Sequence, residues 1–175
     1  NIIGGLDRAT SGKVEVQGRD YAEMSRGELS HMRRDNLGFI FQSYNLIPVL
    51  TVMENAEYVL MLRGVSKSER RQKVLEILEE VGLGGLEKRF PRELSGGQQQ
   101  RVAIARAIAP EPILVLADEP TANVDSKTAI SLLQLMRRLN EQKGVTFLFS
   151  THDQRVMNEA RRLMTMEDGQ ITMDK

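Results

Sequence analysis

Two adjacent carboxylates, Asp118 and Glu119, follow the apolar run Ile113–Ala117 directly and precede Pro120. A short apolar run of this kind is typical of a buried strand, so both acids are expected at the strand's carboxyl end. One carboxylate there can hold Mg²⁺ through its waters, while its neighbour orients or deprotonates an attacking water. An Asp-Glu pair is usually surface charge, but this placement favours metal-assisted phosphate hydrolysis.

A second chemical feature is the run Leu94–Gln98, which reads L-S-G-G-Q. Ser95, Gly96 and Gly97 stand at a predicted helix start, where free backbone N–H groups and the positive end of the helix dipole favour an anion. A flexible turn is the alternative interpretation of three such residues. Combined with the two carboxylates, the run predicts a site for a phosphate compound and a divalent cation.

Polar side chains also follow two other predicted strands, Leu37–Phe41 and Val145–Phe149. Gln42 comes directly after the first, and His152 comes shortly after the second. Ligands of open α/β sheets gather at the carboxyl ends of parallel strands, so these residues predict one shared site. A lone histidine is more often structural, which suits His31 on its polar helix, but the position of His152 favours a functional role.

The phosphate-gripping motif G-x-x-x-x-G-K-[ST] does not occur in the chain. The pair Gly12-Lys13 is followed by Val14, so we interpret it as a turn that enters a strand. Asn1–Gly5 has the pattern of a helix end that stops at glycine, and residue 1 is not Met. We therefore expect the sequence to begin within an element of a longer protein.

The composition is that of one ordinary globular domain, with 175 residues, 41% hydrophobic and 27% charged. Twenty-four basic and 24 acidic residues leave no net charge, and the basic pairs lie among acids on predicted helices. Solvated helix faces explain them better than a nucleic-acid surface. The chain has no cysteine, which excludes disulfide and thiolate chemistry and fits a reducing compartment.

Helices are predicted between the strands by capping boxes at Ser25 with Glu28, Thr51 with Glu54 and Ser66 with Glu69. Two apolar stripes are expected to face the core, and both helices stop at glycine. The first stripe comprises Val74, Leu75, Ile77, Leu78 and Val81, and the second comprises Ile130, Leu133, Met136 and Leu139. Near the end, residues 162–166 and 170–173 flank a turn signal and predict a small hairpin.

The order of these elements predicts an α/β fold, with a mostly parallel sheet interrupted by helices. Residues 51–109 are almost wholly helical and are expected to form an inserted subdomain that carries the L-S-G-G-Q run. Residues 1–50 and 110–175 are expected to form the sheet-containing core.

Taken together, the motifs resemble the nucleotide-binding subunit of ATP-binding-cassette transporters, and the resemblance covers essentially the whole chain. It is carried by Phe41-Gln42, by residues 50–55 reading L-T-V-M-E-N, by residues 93–107 reading E-L-S-G-G-Q-Q-Q-R-V-A-I-A-R-A, and by residues 116–121 reading L-A-D-E-P-T. Within the family, the chain is most similar to ATPases of the lipoprotein-release, macrolide-export and cell-division type. The resemblance implies a P-loop NTPase-like, RecA-like core.

The resemblance also implies a role for each site residue. Asp118 and Gln42 would bind Mg²⁺, Glu119 would be the catalytic base, and His152 would contact the γ-phosphate of ATP. The remaining binding residues implied are Ser95, Gly96, Gly97, Gln98 and Asp125. The first three of these would close over ATP held by a second copy of the chain, and Asp125 would communicate between the two sites.

The sequence departs from the family pattern in two ways. Ala122 and Val124 stand where glycine and leucine are usual, and we expect both changes to be tolerated. The phosphate-binding loop of the family lies a few residues before the position of Asn1. We therefore expect residues 1–175 alone to bind ATP poorly and to hydrolyse none measurably.

The implied function is ATP hydrolysis by a homodimer that drives a separate transmembrane permease at the inner face of the cell membrane. The segment Ser43–Arg63 is the expected docking surface for that permease, with ordinary packing as the alternative. A soluble cassette ATPase of DNA repair or translation is a second interpretation, disfavoured by the short interval between Gln42 and Ser95 and by the single cassette. A non-catalytic subunit without a phosphate-binding loop is a third.

Overall fold

The computed structural model describes all residues from 1 to 175. Its seven strands are β1 Glu15–Val16, β2 Arg19–Asp20, β3 Leu37–Ile40, β4 Leu114–Asp118, β5 Thr146–Ser150, β6 Met164–Glu167 and β7 Gln170–Asp174. Its six α-helices are α1 Arg26–Asn36, α2 Val52–Leu62, α3 Lys67–Glu80, α4 Gly96–Ile108, α5 Ser126–Lys143 and α6 Gln154–Glu159.

The central sheet has the order β3-β4-β5, and both pairings are parallel. The three predicted strands are confirmed, with ends displaced by one residue, so that β4 includes Asp118 and β5 includes Ser150. These two residues are partners in the β4–β5 register. The carboxyl ends of all three strands therefore meet at one edge of the sheet, which is the carboxyl edge referred to below.

Helices α2, α3 and α4 lie between β3 and β4 in the chain, as predicted. Their buried side chains share one continuous core with β4 and α5. A second, smaller core lies between α1 and the N-terminal segment, around Tyr21 and Met32. The boundaries proposed for the helical insertion, residues 51–109, stay a prediction.

Helix α4 packs against β3 at Gly38, where only a glycine fits. A Cβ built there lies 2.7 Å from the backbone oxygen of Ala107 and 3.0 Å from Val115 Cγ2. The backbone oxygen belongs to α4 and cannot move aside as a flexible side chain can. This close approach brings α4 onto the sheet.

Side-chain caps fix where the helices begin. The predicted capping boxes of Ser25 and Thr51 are both formed. Ser66 accepts from the N–H of Glu69, but the reciprocal bond of a capping box is absent, so that prediction is half right. Helix α4 has a capping box that sequence reasoning did not name, between Ser95 and Gln98.

The predicted core stripes are wrong at one residue each. Leu75 on α3 is 40% exposed and Ile130 on α5 is 49% exposed, while the other named residues are buried. At 100° per residue, both side chains point well away from the buried face of their helix. On α5, that face is completed by Ala129, Leu132 and Leu135 instead.

Two small hairpins flank this core. The predicted hairpin near the end is β6–β7, whose turn residues Asp168 and Gly169 both have positive φ. The β1–β2 hairpin was not predicted, because Gln17 and Gly18 form its turn and β1 has only two residues. At the start of the chain, Gly5 at φ +62° and the bonds Gly5 N–H to Ile2 O and Leu6 N–H to Asn1 O form the predicted glycine helix stop.

None of the helices combines the length and the apolar character needed to cross a membrane.

The substitution Gly38→Ala should lower the free energy of unfolding by about 1–3 kcal/mol, because the added methyl overpacks the α4–β3 contact. Urea denaturation of the full-length protein measures this. A variant as stable as the parent would show that α4 can move away from β3 at no cost.

Candidate active site

Glu119 leaves β4 in a backbone conformation that is rare for its residue type. Its φ is +44°, in the left-handed region, and its N–H donates to the Ser150 oxygen at 2.9 Å. Such a conformation costs on the order of 1–3 kcal/mol and persists only where the surroundings fix it. Here the bond to Ser150 extends the β4–β5 pairing by one residue and turns Glu119 towards the end of β5.

The Glu119 carboxylate is held by the segment that follows β5. Oε2 accepts from the Thr151 hydroxyl at 3.0 Å, and Oε1 accepts from the His152 N–H at 3.0 Å. Oε1 also lies 2.5 Å from His152 Nδ1. A carboxylate only accepts hydrogen bonds, so this contact requires the proton on Nδ1. The other ring nitrogen, Nε2, makes no hydrogen bond within the protein. The His152 side chain is 87% exposed.

Asp118 is the free carboxylate of the carboxyl edge. It ends β4 and is exposed, and its side chain takes part in no hydrogen bond or ion pair of the structure. No group of three or more His, Cys, Asp and Glu side chains is arranged to hold a metal ion. Any cation at this edge would therefore need further oxygen ligands, such as waters or phosphate oxygens.

Gln42 lies in a tight turn formed by residues 41–45, called the Gln42 turn below. Tyr44 and Asn45 both have positive φ, at +60° and +48°. The Gln42 backbone oxygen accepts from Asn123 Nδ2 at 2.9 Å, and the Tyr44 hydroxyl donates to the Asn123 oxygen at 3.0 Å. Two bonds thus tie the turn after β3 to the loop after β4, while Gln42 itself is exposed.

The start of helix α4 carries the L-S-G-G-Q run. Ser95 Oγ accepts from the Gln98 N–H at 3.3 Å, and Gln98 Oε1 accepts from the Ser95 N–H at 2.9 Å. The N–H groups of Gly96 and Gly97 occupy the first two helical positions and have no acceptor within the helix. They are available to an anion, whereas the oxygen of the Gln98 side chain already serves as a cap.

Both glycines are required by close packing. A Cβ on Gly96 lies 2.7 Å from the Tyr44 hydroxyl oxygen, and a Cβ on Gly97 lies 2.5 Å from Thr128 Cγ2. Thr128 belongs to the first turn of α5, which Asp125 caps because its Oδ1 accepts from the Lys127 and Thr128 N–H groups at 3.0 Å each. Asp125 Oδ2 also accepts from the Thr128 hydroxyl at 2.6 Å. The pKa of Asp125 is lowered, mostly by the bond from the Thr128 hydroxyl and less by those from the Thr128 and Lys127 N–H groups. The predicted communication residue is therefore also a helix cap.

The loop between β4 and α5 is fastened at two further points. Gln100 of α4 is fully buried, and its Nε2 donates to the Pro120 oxygen at 2.6 Å. The Thr121 hydroxyl donates to Asp153 Oδ2 at 3.1 Å. Hydrogen bonds from Arg155 hold the pKa of Asp153 at about 2. The residues after Glu119 are thus tied both to α4 and to the segment that carries His152.

The structure brings most of the predicted site residues together through these contacts. Glu119 touches His152, Gln42 is joined to the loop that follows Glu119, and Gly97 packs on the helix turn that Asp125 caps. Sequence reasoning gave no role in the site to four residues that hold this arrangement, namely Tyr44, Gln100, Thr121 and Asn123. Thr151 belongs with His152 to the polar group expected after the third strand, whereas a left-handed Tyr44 leaves no signal in the sequence.

Comparison with known proteins places the chain in a family. The family model described as ABC transporter matches residues 1–122 of the chain. The chain belongs to the ABC transporter family. The predicted family and its α/β fold class are confirmed, and so is, at the level of the family, the expectation of an ATP-binding subunit that serves a transporter.

Individual ABC relatives resemble the chain over nearly all of its length. An ABC transporter ATP-binding protein of Thermotoga maritima is 46% identical over 171 residues, which cover 98% of this chain and 73% of that protein. The lipoprotein-releasing system ATP-binding protein LolD of Alcanivorax borkumensis is 43% identical over 169 residues, covering 97% and 74%. A post-hydrolysis dimer of the ATP-binding cassette MJ0796 of Methanocaldococcus jannaschii, bound to ADP and Pi, matches with a TM-score of 0.89 at 42% identity, covering 100% of this chain and 77% of that one.

Gly97→Ala should destabilise this ABC protein by about 1–3 kcal/mol, because the new methyl collides with Thr128. Gly27→Ala is the matched control. Gly27 also stands at the second position of a capped helix, but a Cβ there meets only Ser25 Oγ, at 4.0 Å. The control should raise stability by up to about 1 kcal/mol, because alanine favours the helix. Equal shifts in the urea midpoints of the two variants would contradict the packing argument.

Asp153→Asn should change how stability depends on pH. The pKa of Asp153 is lowered in the folded protein, so the unfolded chain takes up the proton first as the pH falls. The stability that Asp153 supplies is complete above its ordinary pKa of 3.8 and is lost as the pH falls to about 2. The gap in unfolding free energy between parent and variant should therefore narrow over that range. Urea unfolding at a series of pH values measures the gap, and parallel curves would refute the linkage.

Proposed function

We propose that the full-length protein binds and hydrolyses ATP and couples the hydrolysis to a membrane permease. The observation that carries this proposal is the placement of Glu119, a carboxylate fixed at the carboxyl edge of a parallel sheet against Thr151 and His152. Membership of the ABC transporter family supplies the nucleotide and the transport role.

Glu119 is proposed as the general base for the attacking water. Both of its oxygens are engaged in the structure, Oε2 by the Thr151 hydroxyl and Oε1 by His152. A water bound at this edge can take a remaining lone pair or replace the Thr151 hydroxyl, while the His152 bonds keep the carboxylate aimed. The exposed Nε2 of His152 can donate to a γ-phosphate oxygen when it carries a proton in addition to the one on Nδ1. His152 thus serves both the base and the phosphate.

Asp118 and Gln42 are proposed as ligands of Mg²⁺. Their side chains offer a carboxylate and a carboxamide oxygen, which are the hard donors that this cation prefers, and neither is engaged elsewhere. They follow adjacent strands, because Ile40 and Ala117 are partners in the β3–β4 register. The donor set therefore fits the ion, and bound Mg²⁺ would neutralise charge on the phosphates of ATP.

A second copy of the chain is proposed to complete each site. The free N–H groups of Gly96 and Gly97, together with Ser95, form a helix start that is suited to bind an anion. In the proposed homodimer, they and Gln98 close over ATP held mainly by the opposite subunit. Asp125 caps the adjoining helix α5 and is placed to relay the state of one site to the other. The solved MJ0796 cassette is dimeric, which supports this arrangement.

The permease is proposed to dock on Ser43–Arg63, which would hold the protein at the inner, cytoplasmic face of the cell membrane. Val49 is 76% exposed, and Met61 and Leu62 are 45% and 51% exposed. The loop before α2 is ordered by the buried Asn55, which bonds to three of its backbone oxygens. Beside it lies a groove of about 450 Å³ lined by α2, α3 and the segment around Glu87. An ordered loop with exposed apolar side chains is suited to a protein contact.

Two other functions, a soluble ATPase and a non-catalytic subunit, are less well supported. A soluble ATPase of repair or translation is disfavoured, because the relatives are named as transporter proteins. A non-catalytic subunit would have no need for the strained Glu119 and its three contacts, so these favour an active site. Transport of lipoproteins, peptides or drugs depends on the permease and is not assigned.

The test is the substitution Glu119→Gln in the full-length protein. It should lower kcat for ATP hydrolysis by about 10²–10⁴-fold, because the base is lost, and leave ATP affinity unchanged. Because the nucleotide then persists, ATP should shift the variant to a stable dimer in size-exclusion chromatography. Glu111→Gln is the control, since Glu111 precedes β4 and pairs only with Lys73.

Turnover that survives in Glu119→Gln would remove Glu119 from the mechanism. A parent protein that binds ATP but shows no hydrolysis at all would instead favour the non-catalytic subunit.

A further inference from the structure

We propose that Arg106 and Asn123 are positioning residues, which hold the Gln42 turn against helix α4 and the β4–α5 loop. Gln42 would then move with the helix start that closes over the partner's nucleotide. This inference rests on the proposed function, because it assigns a control to the Mg²⁺ ligand Gln42. It is carried by the hydrogen bonds that Arg106 and Asn123 make to the turn.

The first contact comes from the far end of α4. Arg106 Nη1 donates to the Asn45 oxygen at 2.5 Å, and Nη2 donates to the Tyr44 oxygen at 2.9 Å. One planar guanidinium thus bonds to the carbonyls of the two left-handed residues in succession. The two donors of the fork fix both peptide groups together, which a single ammonium group cannot do with the same geometry.

Arg106 has no acidic partner to explain its position. No carboxylate lies within ion-pair distance, and burial lowers the pKa of the guanidinium. Withdrawing a charge from water is unfavourable unless hydrogen bonds replace the lost solvation. The two carbonyls of the turn are the acceptors that do so. The turn with its two left-handed residues and the partly buried cation therefore stabilise each other.

Asn123 holds the other side of the same turn. Its side-chain Nδ2 donates to the Gln42 backbone oxygen, and its backbone oxygen accepts from the Tyr44 hydroxyl. The Tyr44 hydroxyl in turn lies against Gly96, where a Cβ would be 2.7 Å away. The Tyr44 side chain therefore reaches the start of α4 while its backbone is held by Arg106 near the end of that helix.

These contacts make the turn, the helix and the loop one mechanical unit. Any displacement of α4 that follows closure on a partner's nucleotide must either carry Gln42 along or break the Arg106 fork. The structure thus links the residue proposed to sense Mg²⁺ in one site with the helix start that acts on the other site. The linkage passes through Arg106 and Asn123 and does not require either to touch nucleotide.

The experiment compares Arg106→Lys with Arg101→Lys in the full-length protein. Arg101 is the matched control, because it lies on the same helix, is also partly buried without an acidic partner, and donates to the Val81 oxygen and to Ser131 Oγ instead. Both variants keep the charge and most of the apolar stem. Hydrogen exchange of the nucleotide-free protein reports on the turn, whose Tyr44 and Asn45 N–H groups are bonded to Phe41 and Ser43 oxygens.

Arg106→Lys should speed exchange in residues 43–46 by about 10-fold or more, and Arg101→Lys should leave those residues unchanged. Arg106→Lys should also raise the Mg²⁺ concentration for half-maximal ATP hydrolysis by about 10-fold, as loss of a residue that orients a metal ligand typically does. If Arg106→Lys does not fold, Asn123→Ala replaces it, because Asn123 is exposed and its loss frees only the Gln42 oxygen. It should shift the Mg²⁺ requirement in the same direction.

The proposal would be overturned if Arg106→Lys left the exchange rate of residues 43–46 unchanged. It would also be overturned if Arg101→Lys raised that rate as much as Arg106→Lys does. Faster exchange with an unaltered Mg²⁺ requirement would overturn it as well, since the turn would then not position Gln42. Absence of hydrolysis in the unmodified protein would refute the proposed function, and the exchange measurement would still decide whether Arg106 holds the turn.

Discussion

The parallel pairing of β4 with β5 is the constraint on which the site depends. It sets Asp118 beside Ser150, and one further bond along the same edge draws Glu119 out of the strand. The segment after β5 then supplies Thr151 and His152 to the Glu119 carboxylate. A register slip of one residue would reverse the faces of β4 and separate these groups. The geometry of the proposed base is therefore a property of the sheet.

Helix α4 is the second organising element, because the Gln42 turn, the β4–α5 loop and the first turn of α5 all touch it. Gly96 faces Tyr44, Gly97 faces Thr128, and Gln100 bonds to the Pro120 oxygen. Arg106 bonds to the Tyr44 oxygen of the Gln42 turn. Two of these contacts involve glycines with no space for a Cβ and one involves the fully buried Gln100, so a change at one of them is transmitted to the others. This rigidity suits a protein whose proposed cycle moves α4 relative to a partner subunit.

The sequence predicted the elements and the site residues well where a local rule applies. Apolar runs located the three parallel strands, and capping-box patterns located the starts of α1, α2 and α3, because both signals act over a few residues. The rule failed for Leu75 and Ile130, whose apolar character suggested burial although they lie on the exposed faces of their helices. The supporting residues Asn123, Gln100 and Arg106 could not be inferred, because their partners lie 20 to 81 positions away in the chain. Such contacts depend on packing that no local pattern encodes.

The left-handed conformation of Glu119 also decides when the free-energy cost of orienting the proposed base arises. Pro120 disfavours the right-handed helical basin for the residue before it, and the bond to Ser150 holds the alternative in place. The conformational free energy of the left-handed backbone is thus supplied once, when the chain folds, and not again in each catalytic cycle. A resting carboxylate that already has its working direction needs little reorganisation when substrate arrives. The folded protein is thus somewhat less stable than it would be with an unstrained residue 119, and in return one carboxylate is oriented before substrate binds.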